Sequence, residues 1–243
     1  MDHSPSLLDL VQRHLSPEQY AALHWEGSFR DYLALVERNP AVARNAWQRL
    51  LDMIEYHGYE QAARRGGPPR WKIFDDPFER GRDAVFGLDE QLNQLVQVFR
   101  AGAQALGPEK RVILLHGPVG SAKSTIARLL KRGLEAYSAT DAGALYTFSW
   151  HLDGEVVPSP MNQDPLLLIP LEARAEVERR LNKNGKRGYR LELNGELDPV
   201  SRYHFRALSE KYKGDWSRVV EHVRVRRLLL SEKDRVEIGR AHV

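Results

Sequence analysis

The sequence predicts an α/β protein in which helices flank a parallel sheet and an N-terminal helical region precedes it. Three observations support this fold class. Apolar residues before residue 62 recur with the spacing of one helical face. The run RVILLHG (111–117) is apolar, too short for a buried helix and bounded by a glycine, which is typical of a buried parallel strand. The next segment, 121–137, returns to helical spacing.

The N-terminal helical region (1–62) contains three candidate helices. The first two begin with a serine followed three residues later by Gln19 or Asp31, the pairing of a capping box. The third opens at Asn39–Pro40 and can end at Gly58. We expect the aromatic and aliphatic residues of these helices to form a core, because helical spacing predicts packing.

A break follows the helical region. The stretch ARRGGPPRW (63–71) holds two adjacent glycines and two adjacent prolines, which interrupt regular structure. We therefore predict a linker or exposed turn over 63–80. Beyond it, residues 83–106 place four apolar side chains on one helical face, and these are Leu92, Leu95, Val96 and Phe99.

The chain beyond residue 140 continues the α/β pattern. Residues 144–157 alternate well enough for a strand that runs into a turn at Asp153–Gly154. Charged helices are predicted at 172–185 and after Asp198–Pro199, where a cap precedes a proline. Near residue 225, two valines alternate with two arginines, as in a strand with one solvated face.

The stretch LLHGPVGSAKST (114–125) nearly matches the phosphate-binding pattern G-x-x-x-x-G-K-[ST]. Gly117 is the first glycine, Lys123 the lysine and Ser124 the hydroxyl residue, whereas Ala122 replaces the second glycine. A predicted strand, a glycine-containing loop and a helix follow one another in the order that such a loop requires. We expect Ala122 to adopt a negative φ at the helix start, where its methyl group obstructs nothing.

This loop has the chemistry to hold a nucleotide. Backbone N–H groups and the positive end of the helix would face the phosphates, and Lys123 would add a charge for the β- and γ-phosphates. Ser124 would offer its hydroxyl to Mg²⁺. The predicted ATP-binding residues of the loop are Gly117, Pro118, Val119, Gly120, Ser121, Ala122, Lys123, Ser124 and Thr125.

Six stretches together resemble the N-terminal AAA+ module of the PrkA family, bacterial proteins described as serine protein kinases. The resemblance covers about residues 29–236. The stretches that carry it are FRDYLALVERNPAVARNAWQRLLDMI, VFGLDEQLNQLVQVFRAGAQAL, LLHGPVGSAKST, LLKRGLEAYS, DPLLLIP and GDWSRVVEHVRVRRLLLSEKDR.

The resemblance implies more than the motif does. It implies an ATP-binding module of a serine protein kinase or ATP-dependent stress regulator, with ATP and Mg²⁺ as cofactors and a protein substrate of unknown identity. It implies that Val85, Phe86 and Gly87 lie beside the adenine. The family loop tends to read G-P-V-G-S-x-K-S, so Ala122 fits the family. A homo-oligomer is compatible with this interpretation, because a neighbouring subunit often supplies an arginine to the transition state.

The hydrolytic part of an ATPase site is not evident in the sequence. No apolar run ends in the acidic pair that would hold magnesium and polarise water, and Pro170 interrupts the run before Glu172. Protein-kinase catalytic motifs and metal-ligand spacings are also absent from the sequence. The resemblance places the acidic motif and a kinase-like domain beyond this chain. We therefore expect residues 81–236 to be a partial AAA+ domain that binds ATP without hydrolysing it.

The last seven residues, EIGRAHV (237–243), have an unusual possible origin. The codons GAG ATC GGA AGA GCA CAC GTC encode this string and contain the start of a common sequencing adapter. The resemblance ends at the same place, after Val236. We therefore predict a non-native tail over 237–243.

Global composition narrows the partners. The 243 residues include no cysteine and carry a net charge of +3, and no apolar run reaches membrane-spanning length. We expect a cytoplasmic protein without a membrane partner and find no clear nucleic-acid signal. Two alternatives stay open: a P-loop small-molecule kinase with a lid at 182–190, and a nucleotide-gated interaction module without catalysis.

Overall fold

The computed structural model describes residues 17–61, 66–183 and 188–231. Within these ranges lie eight α-helices and six β-strands. In chain order they are α1 (Pro17–Leu23), β1 (Glu26–Ser28), α2 (Phe29–Arg38), α3 (Ala46–His57), β2 (Tyr59–Glu60), β3 (Arg70–Trp71), α4 (Asp89–Ala103), α5 (Lys123–Ser138), β4 (Tyr146–Leu152), β5 (Glu155–Pro158), α6 (Leu171–Leu181), α7 (Pro199–Lys211), α8 (Trp216–Val220) and β6 (Val223–Arg227).

The chain forms two compact units, each assembled from separate stretches of sequence. We call them the sheet unit and the helical unit. The sheet unit comprises Met1–Leu35, Leu145–Leu168 and Gly195–Leu229, and the helical unit comprises Val36–Ala144, Ile169–Asn194 and Leu230–Val243. The division of the sequence at residues 62, 80 and 236 stays a prediction, and the tail 237–243 lies outside the described residues.

The sheet unit is built on a four-stranded antiparallel sheet with the strand order β1-β6-β4-β5. β4 and β5 form a hairpin through Asp153 (φ 45°) and Gly154 (φ 91°), the positive-φ pair that a tight hairpin turn requires. The predicted alternation in β6 is confirmed, since its two valines are buried while Arg224 and Arg226 are exposed. Both the predicted turn and the predicted strand are therefore found.

Helix α2 begins at the predicted capping box. The Ser28 hydroxyl oxygen accepts a hydrogen bond from the Asp31 N–H (3.1 Å), and the Ser28 N–H donates to an Asp31 carboxylate oxygen (2.9 Å). The Ser28 hydroxyl also donates to the Asp31 carboxylate at 2.6 Å, and this bond, together with the one from the Ser28 N–H, lowers the pKa of Asp31. Behind the cap, α2 buries Phe29, whose ring packs edge-on against Trp216 of α8 at a centroid distance of 5.7 Å.

The predicted parallel sheet is not found among the described residues, where every pair of strands is antiparallel. The run 111–117 forms no strand, and its apolar side chains are exposed, with 94% of Val112 and 82% of Leu114 accessible. A parallel strand needs a hydrogen-bonded neighbour and helices on both faces. The described part of the chain supplies no such neighbour to this run, although its α/β class agrees with the prediction.

The helical unit has a core made by α3, α4, α5 and the segment that follows β3. The predicted apolar faces of these helices are confirmed as core. Close approach depends on glycines: a Cβ at Gly133 would lie 2.5 Å from Met53 Sδ, and one at Gly102 would lie 2.4 Å from the Trp47 ring. The most completely buried members of this core are Met53, Ile54, Ile73, Phe74, Val96 and Leu129.

The expectation of an exposed turn is wrong for part of 63–80. Trp71, Ile73 and Phe74 are at most 4% exposed and belong to the helical core. Residues 62–65 lie outside the described residues, but the glycines and prolines after them lead directly into the apolar stretch WKIF. Tertiary burial of Trp71, Ile73 and Phe74 outweighs the local effect of the breakers, and the chain forms a short 3-10 helix there, Lys72–Asp75.

The third N-terminal helix is divided in two. Asn39 caps only a 3-10 helix, Pro40–Ala43. Asn45 then starts α3 with a complete capping box to Gln48. Gly58 ends α3 with a φ of 76°, as predicted.

Buried arginines of α3 and its approach hold the chain that follows α5. Arg49 donates to the carbonyl oxygens of Gly143 and Ala144, both at 2.9 Å. Arg44 pairs with Asp52 and also donates to Tyr137 Oη at 3.0 Å. Because buried charges require partners, these contacts fix the C-terminal end of α5 against α3.

The folding stability of the helical unit depends on pH through His57. Burial lowers its pKa, so the unfolded chain binds a proton more readily than the folded protein does. The stability contributed by neutral His57 is complete above its ordinary pKa of about 6.5 and is lost as the pH falls below that value. We expect urea midpoints of the wild type to fall between pH 7 and 5.5 more than those of His57→Phe. Parallel pH profiles for the two proteins would contradict this account.

Candidate nucleotide-binding loop

The predicted loop, residues 117–122, leads directly into α5, whose first residue is Lys123. Its two glycines are required by different features. Gly120 has a φ of 83°, which favours glycine. At Gly117 a Cβ would lie 2.7 Å from Ser121 Oγ. Backbone conformation therefore favours glycine at 120, whereas at 117 a side chain would crowd the Ser121 hydroxyl.

The ammonium group of Lys123 lies against this loop. It donates to the carbonyl oxygens of Gly117 (2.9 Å) and Pro118 (2.6 Å). A third bond goes to Ser121 Oγ (2.9 Å), which itself donates to Pro118 O (2.8 Å). Within residues 17–61, 66–183 and 188–231, no ion pair joins Lys123 to a carboxylate. Its charge is held only by neutral acceptors, which an anion can replace.

The start of α5 adds a group of unpaired backbone donors. Among the hydrogen bonds of the described residues, Ser121 N–H reaches Pro118 O and Ile126 N–H reaches Ala122 O, whereas none uses the N–H groups of Ala122, Lys123 or Ser124. The Ser124 side chain is exposed, as is Val119. Open N–H groups, a helix N-terminus and a lysine ammonium together favour an anionic ligand.

The expectation of a negative φ at Ala122 is wrong. Its backbone is left-handed, with φ 57° and ψ 10°, rather than negative in φ. The residue is the N-cap of α5 and packs partly against the helical core. Because a Cβ destabilises this conformation, the alanine strains the turn where the general motif has a glycine.

The structure separates the roles of the three residues predicted beside the adenine. Val85 is 5% exposed and belongs to the same core as Ile126 of α5. Phe86 is 71% exposed, and the Arg70 guanidinium lies 5.0 Å from its ring centroid. Gly87 follows with a φ of 73°. Val85 is therefore core, whereas Phe86 and Gly87 are at the surface, where a ligand could reach them.

A group of charges beside α5 was not predicted from the sequence. Asp76, Glu79 and Asp83 have carboxylate oxygens within 4.8 Å of one another. Arg128 pairs with Asp83 and Arg132 with Glu79, both at 2.8 Å. Two arginines four residues apart in α5 were the available signal, since that spacing puts them on one helical face.

The predicted lid region contributes to a separate cleft of about 280 Å³ in the helical unit. Tyr189 lines this cleft and donates a hydrogen bond to Asp52. Burial and the neighbouring Asp52 carboxylate raise the pKa of Tyr189. Residues 184–187 of the lid region lie outside the described residues. Glu172, the acidic candidate of the sequence, is exposed in the first turn of α6.

In the described part of the chain, no helix combines the length and the apolar character needed to cross a membrane.

Comparison with known proteins identifies the family. The family model for the PrkA AAA domain matches residues 27–242. A Bacillus subtilis protein named ATP-dependent protease PrkA is 36% identical over 234 residues, which are 96% of this chain and 32% of that protein. An Escherichia coli K12 protein named serine/threonine kinase YeaG is 26% identical over 167 residues, 68% of this chain and 24% of that protein. No solved structure matches the chain significantly.

The extent of these matches is informative. The chain spans about a third of the Bacillus protein and a quarter of the Escherichia coli protein. The family match continues to residue 242, past Val236, the predicted end of the resemblance. The origin of residues 237–243 stays a prediction. Membership of an AAA family supports the AAA fold and implies nucleotide binding.

Ala122→Gly tests the conformation of the loop. Removal of a Cβ at a φ of 57° should stabilise the protein by about 1 kcal/mol, because only glycine adopts left-handed backbone without strain. Urea unfolding of the two proteins measures the difference. A variant less stable than the wild type would show that Ala122 has a negative φ.

Proposed function

Because this chain belongs to the PrkA family of AAA domains, we propose that its loop 117–125 binds the phosphates of ATP with Mg²⁺. The observation that carries the proposal is the position of the Lys123 ammonium, bonded to two carbonyl oxygens of the loop at the N-terminus of α5. This arrangement brings the ammonium group and the free backbone N–H donors to the same end of α5. A polyphosphate can accept hydrogen bonds from both.

Each part of the loop has a distinct task in this proposal. Lys123 exchanges two carbonyl acceptors for phosphate oxygens, and its bonds become stronger because charge-assisted hydrogen bonds exceed neutral ones. Backbone N–H groups at the start of α5 donate to the same phosphates. The exposed Ser124 hydroxyl would hold Mg²⁺. The residues present therefore fit a magnesium–nucleotide complex, whose metal would neutralise part of the phosphate charge.

We assign the adenine to the surface at Phe86 and Gly87. An exposed aromatic ring provides a stacking surface for a base, and Arg70 lies against the Phe86 ring. Gly87 has no side chain to obstruct the ring edge. Val85 supports this surface from the core rather than contacting the ligand.

For the whole protein we propose an ATP-dependent regulator of the PrkA type. Its relatives are named an ATP-dependent protease in one organism and a serine/threonine kinase in another. The serine protein kinase assignment, a protein substrate, a homo-oligomer and a cytoplasmic location are parts of this proposal. The loop serves a kinase and an ATP-dependent protease equally well, since it acts on the phosphates alone.

The family match counts against one of the two alternative functions but not against the other. A P-loop small-molecule kinase would share similarity only around its loop and lid, whereas the family match begins at residue 27 and includes α2 and α3. That extent favours the PrkA interpretation. A nucleotide-gated module without catalysis shares the same loop geometry, so ATP turnover by the full-length protein separates it from the PrkA proposal.

Lys123→Ala tests the proposed site. Loss of the ammonium should weaken Mg·ATP binding at least tenfold, or about 1.4 kcal/mol, because it removes charge-assisted contacts to phosphate. Lys131→Ala is the matched control, since Lys131 is an exposed lysine later in the same helix. Calorimetric titration of the three proteins gives the affinities. Equal affinity in all three would reject the loop as the site.

Hydrolysis provides a second test. We expect residues 1–243 to bind ATP with no more than trace turnover, because in-line attack needs an acid that polarises water and a cation that stabilises the developing charge. Among the described residues, no carboxylate forms an ion pair with Lys123, and the acidic candidate Glu172 belongs to α6 rather than to the loop. An arginine that stabilises the transition state is worth about 10³–10⁵ in rate. Phosphate release at ordinary ATPase rates, abolished in Lys123→Ala, would place the missing acid within this chain.

A further inference from the structure

A short turn that precedes Phe86 in the chain forms ion pairs with α5, the helix that begins at Lys123. We call residues 76–83 the acidic turn. Two ion pairs join it to α5: Arg128 Nη2 lies 2.8 Å from Asp83 Oδ2, and Arg132 Nη2 lies 2.8 Å from Glu79 Oε1. Along the chain, Asp83 precedes Phe86 by three residues, and Lys123 precedes Arg128 by five.

The acidic turn is internally fixed. Asp76, which is 1% exposed and left-handed with a φ of 54°, accepts hydrogen bonds from the N–H groups of Glu79 (3.2 Å) and Asp83 (3.0 Å). At the neck of the loop, Val85 N–H donates to Phe74 O at 2.9 Å. These hydrogen bonds close the acidic turn on itself and anchor Val85, the residue that precedes the exposed Phe86.

The three carboxylates do not form an available cation site. Both oxygens of Asp76 accept backbone hydrogen bonds, and the other two carboxylates pair with guanidinium groups of α5. Instead, the two guanidinium groups neutralise the carboxylates to which they are bonded. The cluster therefore joins two segments of the helical unit rather than offering its oxygens to an ion.

The energy of these pairs is too small to explain them as stabilisers of the fold. Their side chains are between 23% and 43% exposed, and exposed ion pairs contribute at most about 1 kcal/mol each. Geometry is the larger consequence. Two pairs one helical turn apart disfavour both sliding and rotation of the acidic turn along α5, whereas a single pair would allow it to pivot.

We propose that Asp83–Arg128 and Glu79–Arg132 are positioning pairs that hold the Phe86 surface at a fixed place relative to the phosphate loop. This inference rests on the proposed nucleotide site. It assigns the pairs to the base-dependent part of nucleotide binding: they set the affinity for ATP but not the affinity for its phosphates. A purely structural role would change both affinities together.

The experiment compares Mg·ATP with magnesium tripolyphosphate, which has the phosphates but no base. The variant Arg128→Gln/Arg132→Gln should bind ATP about three- to tenfold more weakly, the range available from two exposed ion pairs, while its tripolyphosphate affinity stays within a factor of about two. Arg180→Gln is the matched control. It removes another ion pair, Arg180–Glu37 at 2.9 Å, from a different helix, and should change neither affinity.

A second set of variants guards against misfolding. If the double arginine variant fails to fold, Asp83→Asn tests the same pair from the turn. Restoration of the ATP-to-tripolyphosphate ratio by Arg128→Glu combined with Asp83→Lys would support the pairing directly.

The outcomes distinguish this inference from the proposal beneath it. If the variant changes neither affinity, or weakens both equally, the ATP-to-tripolyphosphate ratio is unchanged. That result overturns the positioning role even when Lys123→Ala abolishes tripolyphosphate binding. If the wild type binds neither ligand, or binds both independently of Lys123, the proposed function fails and the positioning role fails with it.

Discussion

Burial of one face of α5 is the constraint on which the candidate site depends. Ile126 and Leu129 enter the helical core at 7% and 0% exposure, and burial of large aliphatic side chains supplies about 1.5–3 kcal/mol each. The run 111–117 before the loop has no strand partner among the described residues. The position of the loop is therefore set from its C-terminal side, through the helix.

The same core organises the surface assigned to the base. Val85, Phe74 and Ile73 pack in the cluster that receives α5, so the Phe86 surface and the loop share one apolar support. The ion pairs between the acidic turn and α5 also restrain the relative orientation of these two segments. An apolar core resists separation of two segments but restrains their relative rotation weakly, whereas paired charges have defined directions.

Sequence reasoning predicted the parts of this structure that local patterns encode. Capping at Ser28, the hairpin turn at Asp153–Gly154 and the apolar stripe of α5 follow from side-chain chemistry within a few residues. It failed where distant residues decide the outcome. The run 111–117 has the composition of a strand but no neighbour to pair with, and the residues after two prolines are buried because distant helices cover them. Ala122 was misjudged because a motif position does not specify φ, and the Arg128–Asp83 pair because a pairwise contact across 45 residues leaves no periodic signal.

Amide chemical shifts report most directly on whether nucleotide binds where this account places it. In a ¹H–¹⁵N NMR titration with Mg·ATP, we expect the largest shifts at Gly120, Ala122, Lys123 and Ser124. A second, smaller group should appear at Phe86 and Gly87, and magnesium tripolyphosphate should reproduce only the first group. Shifts confined to the cleft beside Tyr189, with the amides at the start of α5 unchanged, would reject the loop as the nucleotide site.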